Sequence, residues 1–111
     1  MANLIRAGLE SPEAFKQEAA MAFIGTASPL LGSSVAAAEL MVEYMQNQET
    51  QRQAEQLENF EMKLVPEYGR ENASFVSGSG TGALYSSGYI DDLGNITPKG
   101  RALLSLRNAA K

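Results

Sequence analysis

The stretch PLLGSSVAAAELMVEYMQNQETQRQAEQLENFEMKLV, Pro29 to Val65, decides how this chain is read. Ser28 is a good N-cap and Pro29 a good first helical residue, so the pair marks a helix start. No Gly or Pro follows between Ser33 and Val65, and Pro66 disfavours the α region for the residue before it. The stretch therefore predicts one long helix over about 29–65, roughly 55 Å at 1.5 Å per residue. A compact domain of this chain length has a radius of gyration of only about 13 Å. A helix that long would not be wrapped by its own chain and would need partners.

Its character changes halfway. Leu31, Val35, Ala38, Val42 and Met45 follow a spacing of four and three, an apolar stripe on one face. In the same register the stripe would continue onto Glu49, Arg52, Gln56 and Asn59, all polar. A second stripe of Ala54, Leu57, Phe60 or Glu61, and Leu64 resumes out of register, as at a coiled-coil stutter. Between them QNQETQRQ is polar all round, which suits a solvent-bridging helix. The stripes predict partner contacts at Leu31, Val35, Val42, Met45, Leu57 and Leu64. A break near Gln46 to Gln53 would instead fold the helix into a hairpin.

Upstream, Ser11-Pro12-Glu13 signals a short first helix, with Phe15, Ala19, Ala22 and Phe23 on one face and Gly25 as its end. Downstream, residues 66–88 turn Gly- and Ser-rich and read as a flexible arm with one or two short strands. Residues 89–97, YIDDLGNIT, place Asp, Gly and Asn between short apolar pieces, a hairpin signal. Thr97 and Pro98 then open a final helix that buries Leu103, Leu106 and Ala110. The expected fold is mainly α: a short N-terminal helix, the long helix, a Gly/Ser-rich arm, and a small C-terminal β-hairpin plus helix. It is not a large self-contained globule. The expected division is 1–65 as a helical assembly region, 66–88 as the arm and 89–111 as a hairpin-helix docking module.

Composition narrows the chemistry. The 111 residues contain no Cys and no His, which removes disulfides, thiolate chemistry, the commonest general base and the commonest metal ligand. The net charge is −4, unevenly placed. Acids dominate from Glu39 to Glu71, whereas after Asp92 only Lys99, Arg101, Arg107 and Lys111 carry charge. An acidic rod and a basic tail could pair head to tail between copies; the plainer reading is two solvated faces. The opening MANLIRAGLESPEAFKQE lacks the apolar core of a signal peptide, so the virion or the bacterial cytoplasm is the expected location. Residues 19–38 are uncharged and about as long as a bilayer span, but Gly, Ser and Pro29 dilute them. They suit close helix packing better than insertion.

No motif points to a reaction. Gly78-Ser79-Gly80-Thr81-Gly82-Ala83 matches the dinucleotide fingerprint, but Gly88 and the short remaining chain leave no βαβ unit, and Asp91 and Asp92 follow too soon. Nor does a Lys-Ser or Lys-Thr follow the glycines to complete a phosphate-binding loop. Glu55, Glu58 and Glu61 recur every three residues without the His that helical di-metal sites add, and read as a solvated acidic face. Asp91-Asp92 reads as turn chemistry. Asn72-Ala73-Ser74 and Asn95-Ile96-Thr97 match a glycosylation pattern that means nothing without a secretory signal. No cofactor, metal site or catalytic residue is expected.

Two resemblances add to this. GYIDDLGNITPKGRALLSL, about 20 residues, resembles the wing and last helix of winged-helix DNA-binding domains. That resemblance implies Lys99, Arg101 and Arg107 as phosphate contacts. It departs from the family where SGSGTGALYSSG replaces a recognition helix. LLGSSVAAAELMVEYM followed by QNQETQRQAEQLENF resembles in style the small internal or ejection proteins of tailed bacteriophages. That implies a non-enzymatic virion component that binds itself or a larger protein assembly. The alternatives are a small DNA-binding regulator and a membrane-interacting protein using residues 19–38.

Overall fold

The computed structural model describes residues 20–109. Helix α1 spans Ala20–Leu31 and buries Ala20, Phe23 and Ala27 along one face. That face continues past Gly25, so Gly25 does not end the helix. Pro29 lies inside α1 rather than opening a new helix. Its missing N–H falls in the last turn, where the Ser28 hydroxyl donates to the Ile24 carbonyl at 2.5 Å. The helix stops at Gly32, whose φ of +84° is a left-handed conformation that favours glycine. The predicted start at Ser11 lies outside the described residues.

Ser33 then caps α2, Ser34–Gln46, its hydroxyl accepting from the Ala36 N–H at 3.0 Å. Helix α2 buries Ala37, Leu40 and Tyr44. It ends at a single residue, Asn47, with extended backbone at φ −114° and ψ 112°. The Asn47 N–H still bonds the Glu43 carbonyl at 2.8 Å. Its side chain accepts from the Glu49 N–H at 2.9 Å and caps α3, Gln48–Asn59. Helix α3 buries Thr50, Gln53, Ala54 and Leu57. The expected long helix is thus broken twice, at Gly32-Ser33 and at Asn47. The breaks let the buried faces of α1, α2 and α3 turn onto one core, which a straight rod prevents.

The chain runs on through a π-helical turn, Phe60–Leu64, into α4, Val65–Tyr68. Pro66 therefore does not end the helix. In a regular α-helix its ring would meet the Met62 carbonyl; the widened turn, in which the Val65 N–H bonds the Phe60 carbonyl, accommodates it. Gly69 at φ +83° separates α4 from α5, Arg70–Ala73.

Residues 66–88 do not form an extended arm. They hold α4, α5 and α6, Thr81–Ser86, with Ala73, Thr81 and Leu84 buried. The intervening turns close on themselves. The Ser79 hydroxyl donates to the Val76 carbonyl at 2.6 Å, and the Thr81 hydroxyl to the Ser74 carbonyl at 3.1 Å. Glycine here supplies tight turns rather than flexibility.

The predicted C-terminal β-hairpin is reduced to one antiparallel bridge, Ile90 to Ile96, and the described residues contain no strand. Pairing runs only from Asp91 N–H to the Asn95 carbonyl and from Thr97 N–H to the Tyr89 carbonyl, at 2.9 and 3.1 Å; left-handed Gly88 and Pro98, which has no N–H to donate, flank it. The final helix α7, Pro98–Ala109, starts where its sequence signal places it. The Thr97 hydroxyl accepts from the Gly100 N–H at 3.1 Å and donates to the Gly88 carbonyl at 2.5 Å.

Helices α1 and α2 pack together, and both lie on α7; α3 packs on α7 and carries α6. Tyr89, Phe60, Leu57, Leu84, Leu103 and Leu106 are the largest fully buried side chains. They belong to one core cluster that also takes in Phe23, Leu40 and Tyr44, so all three predicted regions contribute to it. With a radius of gyration of 14.1 Å, the molecule is close to the compact value, and the expectation of too little self-burial is overturned. No helix among the described residues is long and apolar enough to cross a membrane. The uncharged stretch 19–38 is interrupted at Gly32 and gives Ala20, Phe23, Ala27 and Ala37 to the core.

Candidate interaction site

The six predicted contact residues fall in three places. Val35 and Val42 point outward from α2, 64% and 46% exposed. They lie seven residues apart on one face, opposite the face that Ala37, Leu40 and Tyr44 bury. Leu31, Met45 and Leu64 are partly buried at the margin of the core. Leu57 is fully buried inside it. The first stripe thus borders a free surface, and the second belongs to the interior.

Several charges elsewhere on the molecule are engaged within the chain. Arg107 of α7 reaches Glu58 of α3 at 3.9 Å. Burial pushes the Tyr44 phenol above its ordinary pKa, against the opposing pull of the adjacent Arg107 guanidinium. Tyr44, Glu58 and Arg107 therefore tie α2, α3 and α7 together. Arg70 donates to both carboxylate oxygens of Glu61, at 2.5 and 3.2 Å, and to the Gly94 carbonyl at 2.9 Å. Donation to the Glu61 carboxylate holds the Arg70 proton more tightly than usual. Arg52 pairs with Glu49 on the surface of α3. The acidic series is thus no uniform solvated face: Glu58 and Glu61 serve as anchors, while Glu55 stays exposed.

The three predicted phosphate contacts also diverge. The Lys99 ammonium sits 5.0 Å from the centre of the Tyr89 ring and donates to the Ser87 carbonyl at 3.0 Å. Arg107 is held at Tyr44 and Glu58, and Arg101 is exposed. Gly80, the middle glycine of the fingerprint-like segment, precedes the six-residue α6 with φ +82°, and no strand leads into it. Among the described residues no three His, Cys, Asp or Glu side chains gather where they could hold a metal ion.

The described surface carries several open concavities. An open groove of about 680 Å³ runs along α3, lined by Arg52, Gln56, Glu58, Lys63, Ser79 and Arg107 among others. A smaller notch of about 230 Å³ lies between Phe75, Tyr85, Ile90 and Asp92. Phe75 and Tyr85 are 76% and 55% exposed, and sequence reasoning passed over both. They sat inside a Gly/Ser-rich segment read as a linker, and two aromatics in such a segment were the available signal. Comparison with protein-family models, with curated proteins and with solved structures finds no match to this chain.

Proposed function

We propose that this protein is a non-enzymatic assembly component that associates with copies of itself through the outward face of α2. The observation that carries the reading is the exposure of Val35 and Val42 on a helix whose other face is already buried. Val35 and Val42, with the half-buried Ala38 between them and the exposed Glu39 beside them, offer an isologous or heterologous contact an apolar line with a charged edge. The sequence style shared with small internal proteins of tailed bacteriophages supports a virion component as its setting. A DNA-binding reading would draw mainly on Arg101, because Lys99 and Arg107 are held in internal contacts.

Sedimentation velocity of the full chain across the micromolar range tests this. The expected result is a mass that rises with concentration, and a Val35→Ser/Val42→Ser variant that stays monomeric with unchanged helicity. A wild-type chain that remains a compact monomer throughout the range overturns the proposal.

A further inference from the structure

We infer that Asn47 is a hinge at which α2 and α3 join into one continuous helix, carrying α1–α2 onto the α7 of a second copy in a domain-swapped dimer. The hinge is one residue long. Asn47, Gln46, Gln48 and Glu49 are all exposed, so straightening it buries no polar group. Neither Gly nor Pro lies between Ser34 and Val65, and the Asn47 φ of −114° is ordinary for any residue. Nothing covalent in the chain therefore demands the break.

Local hydrogen bonding shows what holds it. Asn47 caps Glu49, and the Gln51 side-chain amide donates to the Tyr44 carbonyl at 2.8 Å. In a continuous helix, the N–H groups of Gln48, Glu49 and Thr50 would reach the carbonyls of Tyr44, Met45 and Gln46 instead. The flanking bonds, Asn47 N–H to Glu43 and Gln51 N–H to Asn47, are already helical. Straightening thus replaces side-chain caps with backbone bonds along a segment rich in the helix formers Gln, Glu and Arg, with Asn47 and Thr50 its weaker positions.

The cost lies in tertiary contacts. Helices α1 and α2 would leave α7, exposing the faces of Phe23, Ala27, Leu40 and Tyr44. A second copy in the same state offers an identical α7, on which those faces close as they do within one chain. Tyr44 of one copy then meets Arg107 and Glu58 of the other. Swapping of this kind forms no new interface apart from the hinge. Within QNQETQRQ, Thr50 and Gln53 stay packed in the lobe of their own α3, while the exposed Gln46, Asn47, Gln48 and Glu49 suit the solvent-exposed helix that bridges the two lobes.

This inference does not depend on the outward face of α2, and the test separates the two. Asn47→Ala and Asn47→Gly both remove the cap, but alanine favours the continuous helix and glycine opposes it. The expected result is a dimer with at least a tenfold lower dissociation constant in Asn47→Ala than in Asn47→Gly. It should persist when Val35→Ser/Val42→Ser is added. Because the chain has no cysteine, spin labels on Glu39→Cys and Glu55→Cys can report the hinge. Diluted with unlabelled chain, the dimer should show a separation of about 24 Å, the rise of 16 helical residues. Equal association of the two Asn47 variants, or a dimer whose label distance matches the monomer's, overturns the inference. Wild-type chain cooled from its unfolding midpoint at high concentration provides a second measurement. It should trap the same dimer, and a return to monomer alone overturns the inference as well.

Discussion

Gly100 and Gly25 both lie inside helices, yet their surroundings give them opposite roles. Gly25 lies inside α1 with open space where a Cβ would stand. Gly100 lies in the first turn of α7, where a Cβ would overlap the Tyr89 carbonyl oxygen and crowd the Ile96 side chain. Helix propensity alone favours alanine at both positions by about 1 kcal/mol. Gly25→Ala should therefore raise unfolding free energy by about 0.5–1 kcal/mol. Gly100→Ala should lower it by roughly 1–3 kcal/mol, as overpacking does. Urea unfolding of the two variants checks this, and a stabilised Gly100→Ala would show that the Tyr89–Gly100 approach is loose. Gly94 is constrained in another way, with φ +81° and the Arg70 carbonyl against the position of its missing Cβ. None of these distinctions is legible in sequence, because each depends on what a distant segment brings to the glycine.

Among the elements, the turn at Asp91–Asn95 shows how a short polar segment is held without a β-ladder. The Asp91 carboxylate accepts from the Leu93 and Asn95 N–H groups at 2.9 and 2.8 Å, and from the Asn95 side chain at 3.2 Å. These bonds, led by the Asn95 backbone N–H, hold the carboxyl below its ordinary value of 3.8. The folded state therefore favours the ionised form. The stabilisation is fully present above the ordinary value and is lost as pH falls through the lower folded-state value. Asp91→Asn should accordingly flatten the acid limb of the stability–pH curve below about pH 4 and leave its shape near neutrality unchanged. Thermal melts at stepped pH measure it; an acid limb as steep as wild type would assign acid sensitivity to other carboxylates. The Asp-Gly-Asn composition did announce this turn, and Thr97-Pro98 announced α7, because both signals are local. The number of paired residues beside the turn was not local. Gly88 and Pro98 flank the segment, and the bridge stops at Ile90 and Ile96.

At the scale of the molecule, the decisive contrast is between Leu57 and Val42. The apolar spacing marks both as partner contacts on one helix. Leu57 lies at the centre of the core and Val42 on the outside. Leu57→Ala should cost about 2–5 kcal/mol, as large-to-small changes at buried sites do. Val42→Ser should stay within about 0.5 kcal/mol, as surface changes do. Chemical denaturation of the two variants checks the pair, and a Leu57→Ala variant as stable as wild type would contradict the packing described above. The shift of apolar register at Gln46–Gln53 was visible in the sequence. Its meaning was not, since a stutter in a straight rod and a break at Asn47 produce the same pattern of residues.

The sequence by itself determined the helical character of the chain, the cap at Thr97, the turn at Asp91–Asn95 and the absence of Cys and His, all of which follow from residue type and nearest neighbours. Only the tertiary structure decided that the helix breaks at Asn47 instead of running on, which apolar stripe is core and which is surface, and that Glu58 and Glu61 anchor arginines. Those outcomes depend on whether α7 and the Gly/Ser-rich segment return to cover α1, α2 and α3. Burial against residues remote in the chain outweighs the small local preference for continuing a helix through Asn47, whereas the break at Gly32 and Ser33 is already favoured by a left-handed glycine and a capping serine.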